Sequence, residues 1–266
     1  MRVEETSGTS YMLGNGVSGG NGAFNGAAAG SGIFLMSGVS AVFDIAGSYT
    51  INNDIADDSV VSLPGGQSYI PGAGNGAGVT KQGPGTLTIA GTGRYAGATN
   101  VQEGVLRVIG NVATSAINVA ASGIFTGTGA TGPIDAYGIV APGTMANPQV
   151  NLSPSSLKLE PGALSCFHVS GDAVSEMDVQ GAAHLNGIAH FDFAGGPPVG
   201  KIFTLLQATS VAGAFTGYET NMPNLYGELG YTGTTVTFTV VDSDEVFKGP
   251  MEKPAVGSPC ETAYAN

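Results

Sequence analysis

The chain has 266 residues, enough for one large domain, with 42% hydrophobic and only 11% charged residues, about half the charged share of an ordinary soluble domain. A net charge of −12 with 8 Lys plus Arg excludes a basic footprint for nucleic acid and disfavours docking on an anionic membrane. The 44 glycines lack a Gly-X-Y period, which excludes collagen, and short β-branched runs such as Val236-Thr237-Phe238-Thr239-Val240 favour an all-β chain over a disordered one.

Met1-Arg2-Val3-Glu4-Glu5 contains no apolar export region, so any such signal is missing or lies upstream. Residues 1–32 read as a glycine-rich N-terminal segment. Within it, Val3 to Leu13 carries Thr6, Thr9, Tyr11 and Met12, enough β-propensity for a strand that connects to a neighbour; the alternative is a disordered terminus. The most glycine-dense stretch, 13–32, is a loop, loose first coils or a linker. Ile33-Phe34-Leu35-Met36, Ala41-Val42-Phe43-Asp44-Ile45 and Tyr49-Thr50-Ile51 are the first strand candidates. Asp54, Asp57 and Asp58 then form an acidic turn, and 62–78 a loop.

From Lys81 the pattern becomes regular. Gly85-Thr86-Leu87-Thr88-Ile89-Ala90-Gly91 alternates apolar and polar residues, and Tyr95 to Val101, Gly104 to Gly110, Ala116 to Val119 and Gly138 to Gly143 follow it as further short strand segments. Matching segments recur at roughly 20 residues, a solenoid period. Strands this short bury a core only by stacking coil on coil. Leu87, Ile89, Leu106, Val108, Ile117 and Val119 are therefore expected inside, with Arg107 on the opposite face. Longer strands follow at Ser156 to Glu160, Cys166 to Val169, Ser175 to Val179, Ala183 to Leu185, Ile188 to Phe193, Lys201 to Leu206, Leu229 to Tyr231 and Thr234 to Val241. Residues 242–266 hold three prolines and no periodicity. They read as a dispensable linker or tail, to be trimmed by protease near Lys248 or Lys253.

The run Lys81-Gln82-Gly83-Pro84-Gly85-Thr86-Leu87-Thr88-Ile89-Ala90-Gly91, with Tyr95-Ala96-Gly97-Ala98-Thr99 and Val101 to Val108, resembles the autotransporter-associated β-strand repeat, also called the passenger-associated-transport repeat. Gly127-Thr128-Gly129, Val140-Ala141-Pro142-Gly143, Phe203 to Ala208, Gly213-Ala214-Phe215 and Leu229-Gly230-Tyr231 are similar to downstream pieces of such passengers. Ile55-Ala56-Asp57-Asp58 before Leu63-Pro64-Gly65-Gly66 fits the segment preceding the repeat. The resemblance spans about residues 50–241. It implies a right-handed parallel β-helix over 33–241, with glycine-rich loops and an irregular tail, outside a Gram-negative cell. A C-terminal membrane barrel and a secretion signal have no place in this sequence, which implies an excised passenger or a relative that shed its translocator.

No constellation argues for catalysis. His184, His190 and Asp192 suggest a metal site only if one face gathers them, and ordinary strand residues are the simpler reading. Asp54, Asp57 and Asp58 lack both calcium-loop patterns and read as a solvated turn. Cys166 and Cys260 have no metal-ligand spacing; export permits a disulfide, but the position of Cys260 in the tail argues against one. Glycosidase pairings such as Glu176–Asp178 or Asp178–Asp192 are arbitrary, and no Gly-x-Ser-x-Gly elbow or phosphate loop occurs. The expectation is a non-enzymatic adhesive rod with no cofactor or metal, whose partners are host or bacterial surface ligands. The alternative is a self-assembling filament or biofilm-matrix subunit whose partners are copies of itself. A carbohydrate-active enzyme ranks third.

Overall fold

A computed structural model describes residues 2–5, 9–12, 31–36, 38–59, 76–143, 150–223, 225–242 and 260–264. Each turn of the chain lays down three short strands separated by corners. The coil of Thr99–Val101, Gly104–Val108 and Asn111–Val112 is representative. Period-two alternation sends Thr99, Val101, Leu106, Val108 and Val112 inward, and all are buried. The next coil then adds in parallel register: Thr99 pairs with Ile117, Leu106 with Phe125 and Asn111 with Ala130. Repetition builds a parallel β-helix. Its first sheet has nine strands from Arg2–Glu5 to Ser210–Gly213, and its second runs from Thr9–Met12 to Gly217–Thr220. The third side is a series of shorter ladders joined by single bridges such as Thr92 with Asn111 and Leu152 with Met177.

The six residues expected inside are all buried in one continuous apolar cluster, each contributing about 1.5–3 kcal/mol. Corners require close backbone approach. A Cβ on Gly110 would collide with the carbonyl oxygen of Gly91 in the coil before it, so only glycine lets these coils stack.

Buried polar side chains tie coil to coil. Lys81 is fully buried, and its Nζ donates to the carbonyls of Gln82 and Gly83 at 2.7 Å and of Glu103 at 3.1 Å. Burial pulls this ammonium down to about 8, opposed by the Glu103 and Asp44 carboxylates. Asp57 corrects the reading of a solvated acidic turn, because it too is fully buried. Its Oδ2 accepts from Ala77 N at 2.8 Å and Ala96 N at 2.9 Å, two orphan amides of successive coils. Asp54 accepts from Thr92 N at 3.0 Å in the same manner.

Beyond Leu157 the strands lengthen and the interior turns aromatic. Phe191 lies 5.6 Å from Phe167 and 4.2 Å from Phe238 between ring centroids. There the third side widens into Met177–Asp178, Ile202–Gln207, Thr235–Val241 and Tyr226–Tyr231, the last three pairing antiparallel.

Two sequence readings change. Arg2–Glu5 and Thr9–Met12, expected as a connector or disordered terminus, pair in parallel with this chain's own Ser40–Ile45 and Ser48–Ile51. Parallel ladders accept any strand whose edge hydrogen bonds match, and the nearest edge is intramolecular. The tail is also anchored: Cys260 bonds to Cys166, and Glu261–Tyr264 forms a helical turn, with Cys260 and Ala263 buried. The rest of the tail, including Lys248 and Lys253, lies outside the described residues, as do 13–30 and most of the 62–78 loop.

Candidate functional site

The two broad sheets present different outer faces. On the first, register stacks Thr80, Asn100, Asn118, Asp135, Lys158 and His184 into one outward row. Asn118 Nδ2 donates to Asn100 Oδ1 at 2.9 Å, and Gln82 Nε2 donates to Gln102 Oε1 at 2.7 Å. Lys158 Nζ approaches Asp135 Oδ2 at 3.5 Å and pairs with Glu160, whose hydrogen bond holds the ammonium above its ordinary value. Beside this row the small Ala120 leaves a notch of about 290 Å³ lined by Asn100, Gln102, Asn118, Asp135 and Tyr137. Tyr137 stands 54% exposed at its edge. The arrangement offers donors, acceptors and one aromatic face to a ligand.

The second sheet carries apolar residues on its outside. Val105 and Ile124 pair in register, and they cluster with Ala141, Cys166, Cys260 and Ala263, flanked by Ile139 and Leu164. The tail's helical turn covers this patch and the disulfide fastens it. Sequence reasoning missed the docking, although the outward apolar positions of consecutive strands were its visible signal.

Next to the disulfide, Cys166, His190 and Glu219 are register neighbours on successive strands, and Asp192 lies two residues along the face from His190. His190 is fully buried; its Nε2 lies 3.3 Å from Asp192 Oδ1 and its Nδ1 3.6 Å from Glu219 Oε2. His168, aligned with Asp192, is held below its ordinary value by burial, partly offset by that carboxylate. His184 sits on the other sheet, so the structure joins His190 to Asp192 and leaves His184 apart. Of the glycosidase pairings considered, Asp178 lies on the third side and Asp192 on the second. Glu176, raised by burial, accepts from Gln207 Nε2 at 2.7 Å. That bond engages its carboxylate with a neighbouring strand.

The coil from Val79 to Val108 is where the known family enters: residues 79–108 match the family model of the passenger-associated-transport repeat. This segment resembles an autotransporter passenger repeat. No curated protein matches the chain. The repeat's polar residues now have physical roles: Lys81 caps three carbonyls, and Tyr95 Oη meets Thr99 Oγ1 at 2.7 Å, which meets Ser115 Oγ at 2.8 Å. The repeat family implies a surface-exposed or secreted protein of Gram-negative bacteria. Among the described residues no helix is long and apolar enough to cross a membrane.

Proposed function

We propose that the chain is a non-enzymatic, adhesive and structural stretch of passenger whose first-sheet outer face contacts surface ligands. The supporting observation is the row of stacked amides ending at the exposed Tyr137 beside the notch. The stacked interior makes the rod stiff, so its outward groups keep fixed positions and need little ordering when a ligand binds. Amides both donate and accept, which suits neutral hydroxyl-rich surfaces, and the tyrosine adds an apolar face. Lys158 is engaged with Asp135 and Glu160, so the face presents little unbalanced positive charge.

The test is adhesion of the purified chain to fixed epithelial and bacterial cells and to a glycan array. Tyr137→Ala combined with Asn118→Ala should lower binding at least tenfold without shifting the melting temperature. Undiminished binding would discard this face. Release of reducing ends from any bound glycan would discard the non-enzymatic reading.

A further inference from the structure

The chain has only two cysteines and three histidines, and both cysteines meet one histidine at a single spot on the second sheet. One ligand atom each from His190, Asp192 and Cys260 lies within 4.8 Å of the others, and all three residues are buried. Cys166 brings a second sulfur, since it is bonded to Cys260. We propose that this cluster is a redox-conditional site for a divalent cation of the zinc class. When the disulfide is reduced, Cys166, Cys260, His190 and Asp192 become the ligands.

Two occupants of the Nε2 side fit the hydrogen-bond inventory, a proton, which makes both nitrogens donors, and a cation. A neutral imidazole has one donor and one acceptor nitrogen, yet both nitrogens of His190 face carboxylate oxygens. Nδ1 is buried without a hydrogen-bond partner, a costly arrangement in a desolvated place. A cation on the Nε2 side would satisfy that nitrogen and Asp192 together. It would also fix the proton on Nδ1, directed at Glu219. Metal-bound imidazoles are commonly held in this way by a carboxylate on the far nitrogen.

The donor set of two sulfurs, one nitrogen and one oxygen suits zinc, whose tetrahedral ligands sit about 3.5 Å from one another given metal–ligand bonds of about 2.0–2.3 Å. His190, Asp192 and Cys260 would close by about 1 Å, while the two sulfurs, bonded to each other in the disulfide, would part to about 3.5 Å on reduction, both by side-chain rotation.

The chemistry balances. A dithiol reductant gives two electrons and two protons to the Cys166–Cys260 bond and becomes a disulfide itself, leaving two thiols. Binding of the cation then displaces both thiol protons to solvent. Disulfide and metal are therefore alternative occupants of one site, and either one tethers the tail segment around Ala263 to the sheet. The proposal does not depend on the adhesive face.

Cobalt(II) titration of the full chain is the test, with and without reduction by a water-soluble phosphine, which is itself oxidised to the phosphine oxide. The reduced chain should bind one cobalt per monomer, showing the intense visible bands of tetrahedral geometry and a thiolate charge-transfer band. Zinc should displace it. The oxidised chain should show neither feature. His190→Gln should weaken binding at least tenfold, and Glu219→Gln by about tenfold through the lost support of the imidazole. If His190→Gln fails to fold by circular dichroism, Cys260→Ser decides, since it must lose part of the charge-transfer intensity and most of the affinity. Equal cobalt affinity in the oxidised chain, or undiminished affinity in the folded variants, would overturn the proposal. So would a reduced chain that binds no cobalt, which would leave His190 a structural residue between two carboxylates.

Discussion

The coils from Val79 to Val119 and those from Leu157 to Val241 share the two broad parallel sheets but are held together differently. In the first, the interior is mainly aliphatic, and the register is marked by buried polar groups: Lys81 on three carbonyls and the Tyr95–Thr99–Ser115 chain. In the second, phenylalanines 167, 191, 193, 203, 215 and 238 fill the interior, and antiparallel strands end the third side. A one-residue slip would turn the apolar positions of either region outward, and in the repeat coils it would also orphan the buried donors and acceptors. The repeat coils gain register from polar ties, and the later coils gain stability from aromatic bulk.

Truncation of the aromatic stack should give the largest effect. Phe191→Ala should cost about 4 kcal/mol and Leu106→Ala about 3 kcal/mol in urea melts. Hydrogen exchange should then show the regions apart, with amides near Leu106 still slow in the Phe191 variant. Uniform loss of protection along the whole rod would mean that the two regions fold as one unit.

Removal of a polar tie comes next. Asp57 Oδ1 accepts from Ser59 N at 3.0 Å and also from Ser59 Oγ, while Oδ2 serves Ala77 and Ala96. Asp57→Asn keeps one acceptor oxygen and turns the other into a donor facing donors. A loss of about 2 kcal/mol is expected from orphaned buried amides. A neutral outcome would show that such ties do not set the register.

Tyr95 supplies a pH signature. Burial raises its phenol to about 12, with the Thr99 and Ser115 hydroxyls pulling the other way and Asp57 adding to the rise. Unfolded tyrosine titrates near 10, so the folded state holds its proton more tightly. The stabilisation is complete below pH 10 and is lost as pH climbs from about 10 to 12, by about 3 kcal/mol. Urea midpoints of Tyr95→Phe should fall less steeply than those of the parent over that window; parallel curves would refute the assignment.

Much of this architecture was legible because period-two alternation and glycine punctuation are local signals. Leu87, Ile89, Leu106 and Val108 announced their face directly. Lys81 and Asp57 did not, because a charged side chain reads as solvated unless the carbonyls or amides that receive it are known, and Glu103, Ala77 and Ala96 belong to later coils. The Cys166–Cys260 contact spans 94 residues of sequence separation, and no periodicity reports on it. His190, Asp192 and Glu219 gather because successive strands stack in register, whereas His184, nearer to His190 in sequence than Glu219, falls on another sheet.

The smallest expected effect lies at Arg107, between the inward Leu106 and Val108. Alternation places its side chain outside, beside Thr88 and Thr126 in register, and a fully solvated arginine would cost nothing on truncation. Arg107 is only half-buried, however, its Nε is inaccessible, and burial lowers the guanidinium from its ordinary value. Its aliphatic stem therefore covers part of the outer sheet. Arg107→Ala should cost about 1 kcal/mol, well below Leu106→Ala, and Arg107→Met should recover most of that loss by restoring the stem. Urea midpoints of the three variants order the two faces of one strand. If Arg107→Ala matched Leu106→Ala, the outside of this sheet would be a second core. If Arg107→Met recovered nothing, the guanidinium rather than the stem would carry the contribution.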